Sequence, residues 1–232
     1  MNHNFTFREG TWDNAIFNCI NQHNEYKLPD SMEGKVVVDI GAHIGSFGYA
    51  CLSRGAKKVY AFEAFKDNFE LTQKNLSQFG DRAEVFHKAV WRSDQPNTTL
   101  TFSESNDEIN TGGGNVWSAS GSETVSTISL DQIVSMVGPI DFLKLDCEGS
   151  EFPILFTCTM IDKIKEMAGE YHEFQGEYDQ NVIPDHMKID GYDKFTVAEL
   201  TKFLSKHGFL GSADRAKSQG KSVNLGHFFA TR

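Results

Sequence analysis

Val38-Asp39-Ile40-Gly41-Ala42-His43-Ile44-Gly45 sets an acid at the end of an apolar run, then a glycine, then a second glycine four positions on. Glycines at such a junction let the backbone turn sharply and come close to a ligand. A dinucleotide fingerprint, G-x-G-x-x-G, needs glycine at 43 and 46, where this chain has His43 and Ser46. Gly41 and Gly45 suit a nucleoside without a pyrophosphate instead. Glu63 follows Asp39 by about 24 residues, where doubly wound folds place the acid that accepts from ribose hydroxyls. A carboxylate can accept from two vicinal hydroxyls at once. The third cluster is Lys144-Leu-Asp146-Cys-Glu148-Gly-Ser-Glu151, with three acids and a lysine at the end of another apolar run. Charges in a buried strand are costly unless paired or liganded. Lys144 therefore either forms an ion pair with an acid or contacts a ligand.

These residues need a scaffold that presents strand ends to one crevice. From about residue 35 onward, strand-like and helix-like segments alternate, which implies βαβ units and a mostly parallel sheet. Residues 35–39, 57–62, 83–91, 140–145 and 167–174 read as strands, and 209–212 and 225–231 as a closing antiparallel pair. Helices are expected over 45–54 and 66–79, with Gly80 as a stop. Ser129…Gln132 and Thr196…Glu199 are capping boxes, and Ser150 reads as a cap followed by an early Pro153. Residues 93–127 interrupt the rhythm with Ser, Thr, Asn and Gly, enclosing a strand at 98–102 and a flexible tip at Gly112-Gly113-Gly114.

Composition narrows the class. The 232 residues are 39% hydrophobic and 23% charged, as in a globular α/β fold. A formal charge of −10 and the lack of a Lys/Arg stripe argue against a nucleic-acid partner. No 18-residue apolar run and no basic-then-apolar leader is present, so no membrane partner is expected and the cytosol is the default location. Four cysteines, Cys19, Cys51, Cys147 and Cys158, form no CxxC pair or zinc spacing, and Cys51 and Cys158 read as buried.

The string from Lys144 to Glu151, K-x-D-x-E-G-x-E, resembles the signature of FkbM-type methyltransferases. So do Val38–Gly45, the stretch Arg8-Glu-Gly-Thr11-Trp-Asp13 (that family's R-x-G-T-x-D), Ser126–Asp131, and the E-x-H of Glu170-Tyr171-His172. The matches span about residues 5–175 in the family's order, with His43 standing where the family usually has asparagine. The resemblance implies a class I Rossmann-like fold with about seven strands and helices on both faces. Residues 1–232 would form one domain, with 1–33 capping the substrate side of a core at 34–232. It implies S-adenosylmethionine as cofactor, held by Asp39, Gly41, Ala42, His43, Gly45, Ser46, Glu63, Ala64, Ala89, Val90 and Asp146. The methyl acceptor is most often a hydroxyl on a sugar, polyketide or related metabolite, and amines also occur, so the partner is a small molecule or glycan. N-methylation on the same fold, or a non-catalytic nucleoside-binding module, are the alternatives. A hydroxyl must lose its proton as it attacks, and Asp146, Glu148, His172 and Glu173 are the candidate bases. Glu170 and His172 share a strand face, so with Asp146 they are also candidate ligands for a divalent cation. A few ligands on two strands make no full shell, so a metal-free base is the preferred reading. Residues 93–127 and 176–192 are expected to shape the acceptor pocket, with 112–114 as a lid and Trp117 stacking on the acceptor.

Overall fold

The computed structural model describes residues 5–118, 121, 123–178 and 181–232. An N-terminal helix, α1 (Asp13–Asn21), precedes β1 (Val36–Ile40), α2 (Ser46–Ser53), β2 (Lys58–Glu63), α3 (Lys66–Leu76) and β3 (Ala83–His87). Next come β4 (Ala89–Trp91), β5 (Thr99–Phe102), β6 (Glu123–Ser129), α4 (Leu130–Val137), β7 (Ile140–Leu145), α5 (Glu151–Phe156) and β8 (Ile164–His172). The chain closes with α6 (Val197–Lys206), β9 (Leu210–Ala213), a hairpin of β10 (Lys217–Ser218) and β11 (Lys221–Ser222), and β12 (Leu225–Thr231).

Seven strands form the main sheet in the order β3-β2-β1-β7-β8-β12-β9. The first five are mutually parallel, and β12 runs antiparallel to both β8 and β9. The connections run outward in opposite directions from β1 and β7, so a crevice opens beyond the carboxyl ends of these two strands. Asp39 and Lys144 are direct neighbours across that pair, as are Ile40 and Leu145. Strand alternation divides the core. Val38, Ile40, Leu143 and Leu145 pack toward α4, α5 and α6, while Val37 and Phe142 pack toward α2 and the N-terminal segment.

The capping box at 129 is as read, whereas at 196 only the Thr196 half of the expected box forms. Ser129 and Gln132 bond reciprocally, and Thr196 Oγ1 accepts from the Glu199 amide. Other elements differ. The strand expected over 83–91 breaks at Lys88, whose amide donates to the carbonyls of Glu63 and Phe86. β3 stays on β2, and β4 leaves to form a second sheet, β4-β6-β5, from the 93–127 insert. The Ser150 side chain makes no cap; Glu151 instead turns back to accept from the amides of Cys147 and Gly149. α3 stops at Leu76, and Gly80 (φ +55°) sits within the 3-10 turn that follows.

Candidate active site

The loop after β1 forms one wall of a cavity of about 490 Å³ at the sheet's switch point. Gly41 has φ +75°, and a Cβ there would collide with the Asp146 carbonyl, so only glycine lets the two strand ends close up. Gly45, at φ +88°, faces Thr72 and Leu76 of α3 instead of the cavity, so its freedom serves the turn into α2. His43 has φ +53°, a left-handed position that a family asparagine would adopt at lower cost. Asp39 is not on the cavity wall. It is fully buried behind it, 3.4 Å from Lys144 Nζ, and Lys144 also donates to the Gly41 carbonyl. Burial pushes the Asp39 carboxyl up despite that lysine. Asp39, expected among the cofactor-binding residues, lies behind the wall and pairs with Lys144, and Lys144 holds the loop. The ion pair read from the Lys144 cluster is present.

Glu63, at the end of β2, lines the cavity and is 6% exposed. Its two oxygens accept from the amides of His43 (2.7 Å) and Phe65 (2.8 Å), which fixes the carboxylate with lone pairs to spare. Burial raises its pKa to about 7 against the pull of these amides. Ala42, His43, Ser46, Ala64, Ala89 and Val90 line the same space, joined by Asn68 and Lys88, which sequence reasoning missed. Asn68 sits at helical spacing on α3 with no motif of its own.

At the other end of the cavity stand Asp146, Glu148, Glu170 and His172. His172 lies between two carboxylates, Nε2 3.3 Å from Glu148 and Nδ1 3.4 Å from Glu151. Burial opposes its charge, but Glu151 and Glu148 outweigh it and raise the imidazole well above its usual value. Asp146 accepts from the Tyr26 hydroxyl at 2.7 Å and lies 3.9 Å from Lys144; burial pushes its carboxyl up, yet Lys144 leads the contacts that bring it below the usual range. Glu170 is raised to about 8, by burial first and by the Asp146 charge second. Across the antiparallel pair, Glu170 faces His227 and His172 faces Leu225, both cavity-lining residues of β12 beyond the reach of the sequence motifs.

Glu173, expected as a candidate base, points away. Arg215 pairs with both of its oxygens at 2.8 Å, and the Val197 amide donates to it at the start of α6. Trp117 does not line the cavity either; its indole donates to the Glu148 carbonyl at 2.7 Å and packs edge-on against Phe174. None of the described residues of 176–192 lines the cavity, and Ile183 and Met187 sit in the core. Gly112 and Gly114 are on the cavity wall rather than at a solvated tip, and Gly114 is packed against Phe102. The N-terminal segment supplies Trp12, Ala15, Ile16, Cys19, Ile20, Glu25 and Tyr26 to the opposite wall. Among the described residues no three His, Cys, Asp or Glu side chains converge in a metal-binding arrangement.

Several buried polar atoms of lining residues have no protein partner: Ser46 Oγ, Asn68 Oδ1, Ser150 Oγ and His43 Nδ1. Unpartnered groups of this kind are rare in a native interior. Together with a diol acceptor at Glu63 and the apolar Ala89 and Val90, they fit S-adenosylmethionine. The fold and site define a class I S-adenosylmethionine-dependent methyltransferase. The Methyltransferase FkbM domain matches residues 39–210, and the chain belongs to that family. A Listeria monocytogenes protein described as an S-adenosylmethionine-dependent methyltransferase shares the fold at TM-score 0.52 and 13% identity, covering 94% of this chain and 99% of that one. An rRNA methylase from Streptococcus thermophilus does so at TM-score 0.50 and 12% identity, covering 91% and 96%. Protein arginine N-methyltransferase 6 of Danio rerio is 43% identical over 66 residues, 28% of this chain. The match spans only 19% of that relative's length.

Proposed function

We propose that the protein methylates a hydroxyl of a small molecule or sugar, with Glu170 accepting the proton. S-adenosylmethionine supplies, when bound, an electrophilic methyl group on sulfur. Glu63 orients the ribose and the Gly41–Ser46 loop seats the remainder of the cofactor, leaving Asp146, Glu148, Glu170 and His172 around the acceptor. The observation that carries the reading is Glu170. It lines the cavity with Asp146 and His172, and burial together with the Asp146 charge pushes its carboxyl up to about 8, toward the proton affinity a general base needs near neutral pH. His172, held charged between two carboxylates, serves as a donor and not as the base expected from its sequence context. Asp146 is already engaged by Tyr26 and Lys144. A net charge of −10 works against a polyanionic acceptor. No helix among the described residues is long and apolar enough to cross a membrane, and the four cysteines are free, which supports a cytosolic setting.

N-methylation is the second reading, favoured by four acids on the cavity wall besides Glu63, namely Glu25, Asp146, Glu148 and Glu170, which suit an amine acceptor. Formation of S-adenosylhomocysteine with matched hydroxyl and amine acceptors separates the two. Glu170→Gln should cut hydroxyl methylation about 10²–10⁴-fold with cofactor affinity retained. Near-normal turnover in that variant would remove Glu170 as the base, and turnover with amines alone would replace the first reading by the second.

A further inference from the structure

The Arg8-Glu-Gly-Thr-Trp-Asp13 stretch takes no part in the chemistry above, yet its last residue is a fully buried carboxylate. Arg8 clasps Asp13 through both Nε and Nη2 at 2.9 Å, and the Arg8 amide donates to it as well. Thr111, from the insert, donates its hydroxyl proton to Asp13 at 2.8 Å. The Thr111 oxygen lies 2.8 Å from His43 Nε2, so with its own proton given to Asp13 it accepts from the imidazole. That leaves Nδ1 as the unpartnered acceptor of His43. Burial opposes the Asp13 charge, but His43, Arg8 and Thr111 together hold the carboxyl far below its usual range.

Three separate pieces of the cavity therefore meet at one carboxylate. α1 supplies Ala15, Ile16, Cys19 and Ile20 to one wall, and the insert supplies Gly112, Gly114 and Val116. The Trp12 amide donates to the Ile109 carbonyl, tying these two pieces together a second time. His43 belongs to the cofactor loop, and Asn68 on α3 donates to the Thr111 carbonyl. α1 and the insert both flank the space beside the His43 loop, so their junction at Asp13 closes that side of the cavity.

We propose that Asp13, with Arg8 and Thr111, is a latch that closes the cofactor cavity and sets the rate at which cofactor and its product exchange. The assignment rests on the cofactor's seat and is independent of the acceptor's chemistry. A latch of charge-assisted bonds acts mainly on dissociation, since most affinity differences between related complexes lie in the off-rate.

The test is stopped-flow measurement of S-adenosylhomocysteine release, read by tryptophan fluorescence because Trp12 lines the cavity. Thr111→Val removes both bonds of the hydroxyl, to Asp13 and from His43, and keeps the side chain's shape; Asp13→Asn removes the charge. Release should quicken about threefold or more in Thr111→Val and about tenfold or more in Asp13→Asn, with association equal or faster. Amide exchange over 109–116 should quicken in parallel, and the melting temperature of unliganded Thr111→Val should fall by no more than a few degrees. Wild-type release from Thr111→Val would overturn the latch, as would slower association, which would mark a distorted cavity. If Asp13→Asn fails to fold, Thr111→Val decides alone.

Discussion

Glu63, proposed to orient the ribose, would couple burial to binding. Its carboxyl is fixed by two backbone amides and raised to about 7 by burial. Only the ionised form accepts from both ribose hydroxyls, so cofactor affinity should strengthen as pH rises through about 7. Calorimetry with S-adenosylhomocysteine should give binding roughly tenfold weaker at pH 6 than at pH 8. Glu63→Gln should bind more weakly than wild type at pH 8, by about 1–3 kcal/mol, and lose the pH dependence. A wild-type pH profile in Glu63→Gln would assign the titration elsewhere. At this scale the sequence was informative wherever a residue type, a strand end and a spacing coincided, as at Gly41 and Glu63. It was silent on pairing between residues outside one motif. Glu173 and its partner Arg215 are 42 positions apart, and His172 looked like a free base because Glu151 reaches it only through the turn after β7.

Elements were legible where their signals are local. Caps at 129 and 196 and the apolar runs of β1 and β7 depend on neighbours within a few residues. The split between β3 and β4 depends on which sheet the chain joins, and α1 on packing against α2, so neither is written locally. The turn from β8 into α6 shows what this means for stability. Glu173 is 2% exposed, binds Arg215 with both oxygens and caps α6 at the Val197 amide. Glu173→Ala strips the salt bridge and the cap together. Arg215 is partly exposed and recovers some hydration, so the loss should be about 2–3 kcal/mol. Thermal unfolding should show this while the dissociation constant for S-adenosylhomocysteine stays unchanged. The opposite pattern, unchanged melting with turnover abolished, would return Glu173 to the chemistry.

Over the whole molecule, the site imposes a pH profile on the fold. Glu63 and Glu170 bind protons more tightly folded than unfolded, so their contributions decline as pH rises from about 4.5 through 7 and 8. His172, raised by Glu151 and Glu148, contributes fully below 6.5 and loses that contribution as pH climbs through its raised folded value. The structural aspartates have the opposite sign. Asp13, Asp131 and Asp141 are all lowered, so their stabilisation is present above the ordinary aspartate range and disappears as pH falls. The two sets bracket a maximum, and unliganded protein should melt highest near pH 5–6 and lower toward pH 8. The Glu63 share of that decline is on the order of 3 kcal/mol at most. Differential scanning fluorimetry across pH 4–9 should show the decline, with Glu63→Gln flattening the part between about pH 5 and 7. Saturating S-adenosylhomocysteine should offset it, because the ribose hydroxyls solvate the carboxylate that burial leaves short of donors. A melting temperature that instead rose from pH 6 to 8 in the unliganded protein would mean that these carboxyls ionise as ordinary surface acids. The cavity would then be wetter and more open than its walls imply.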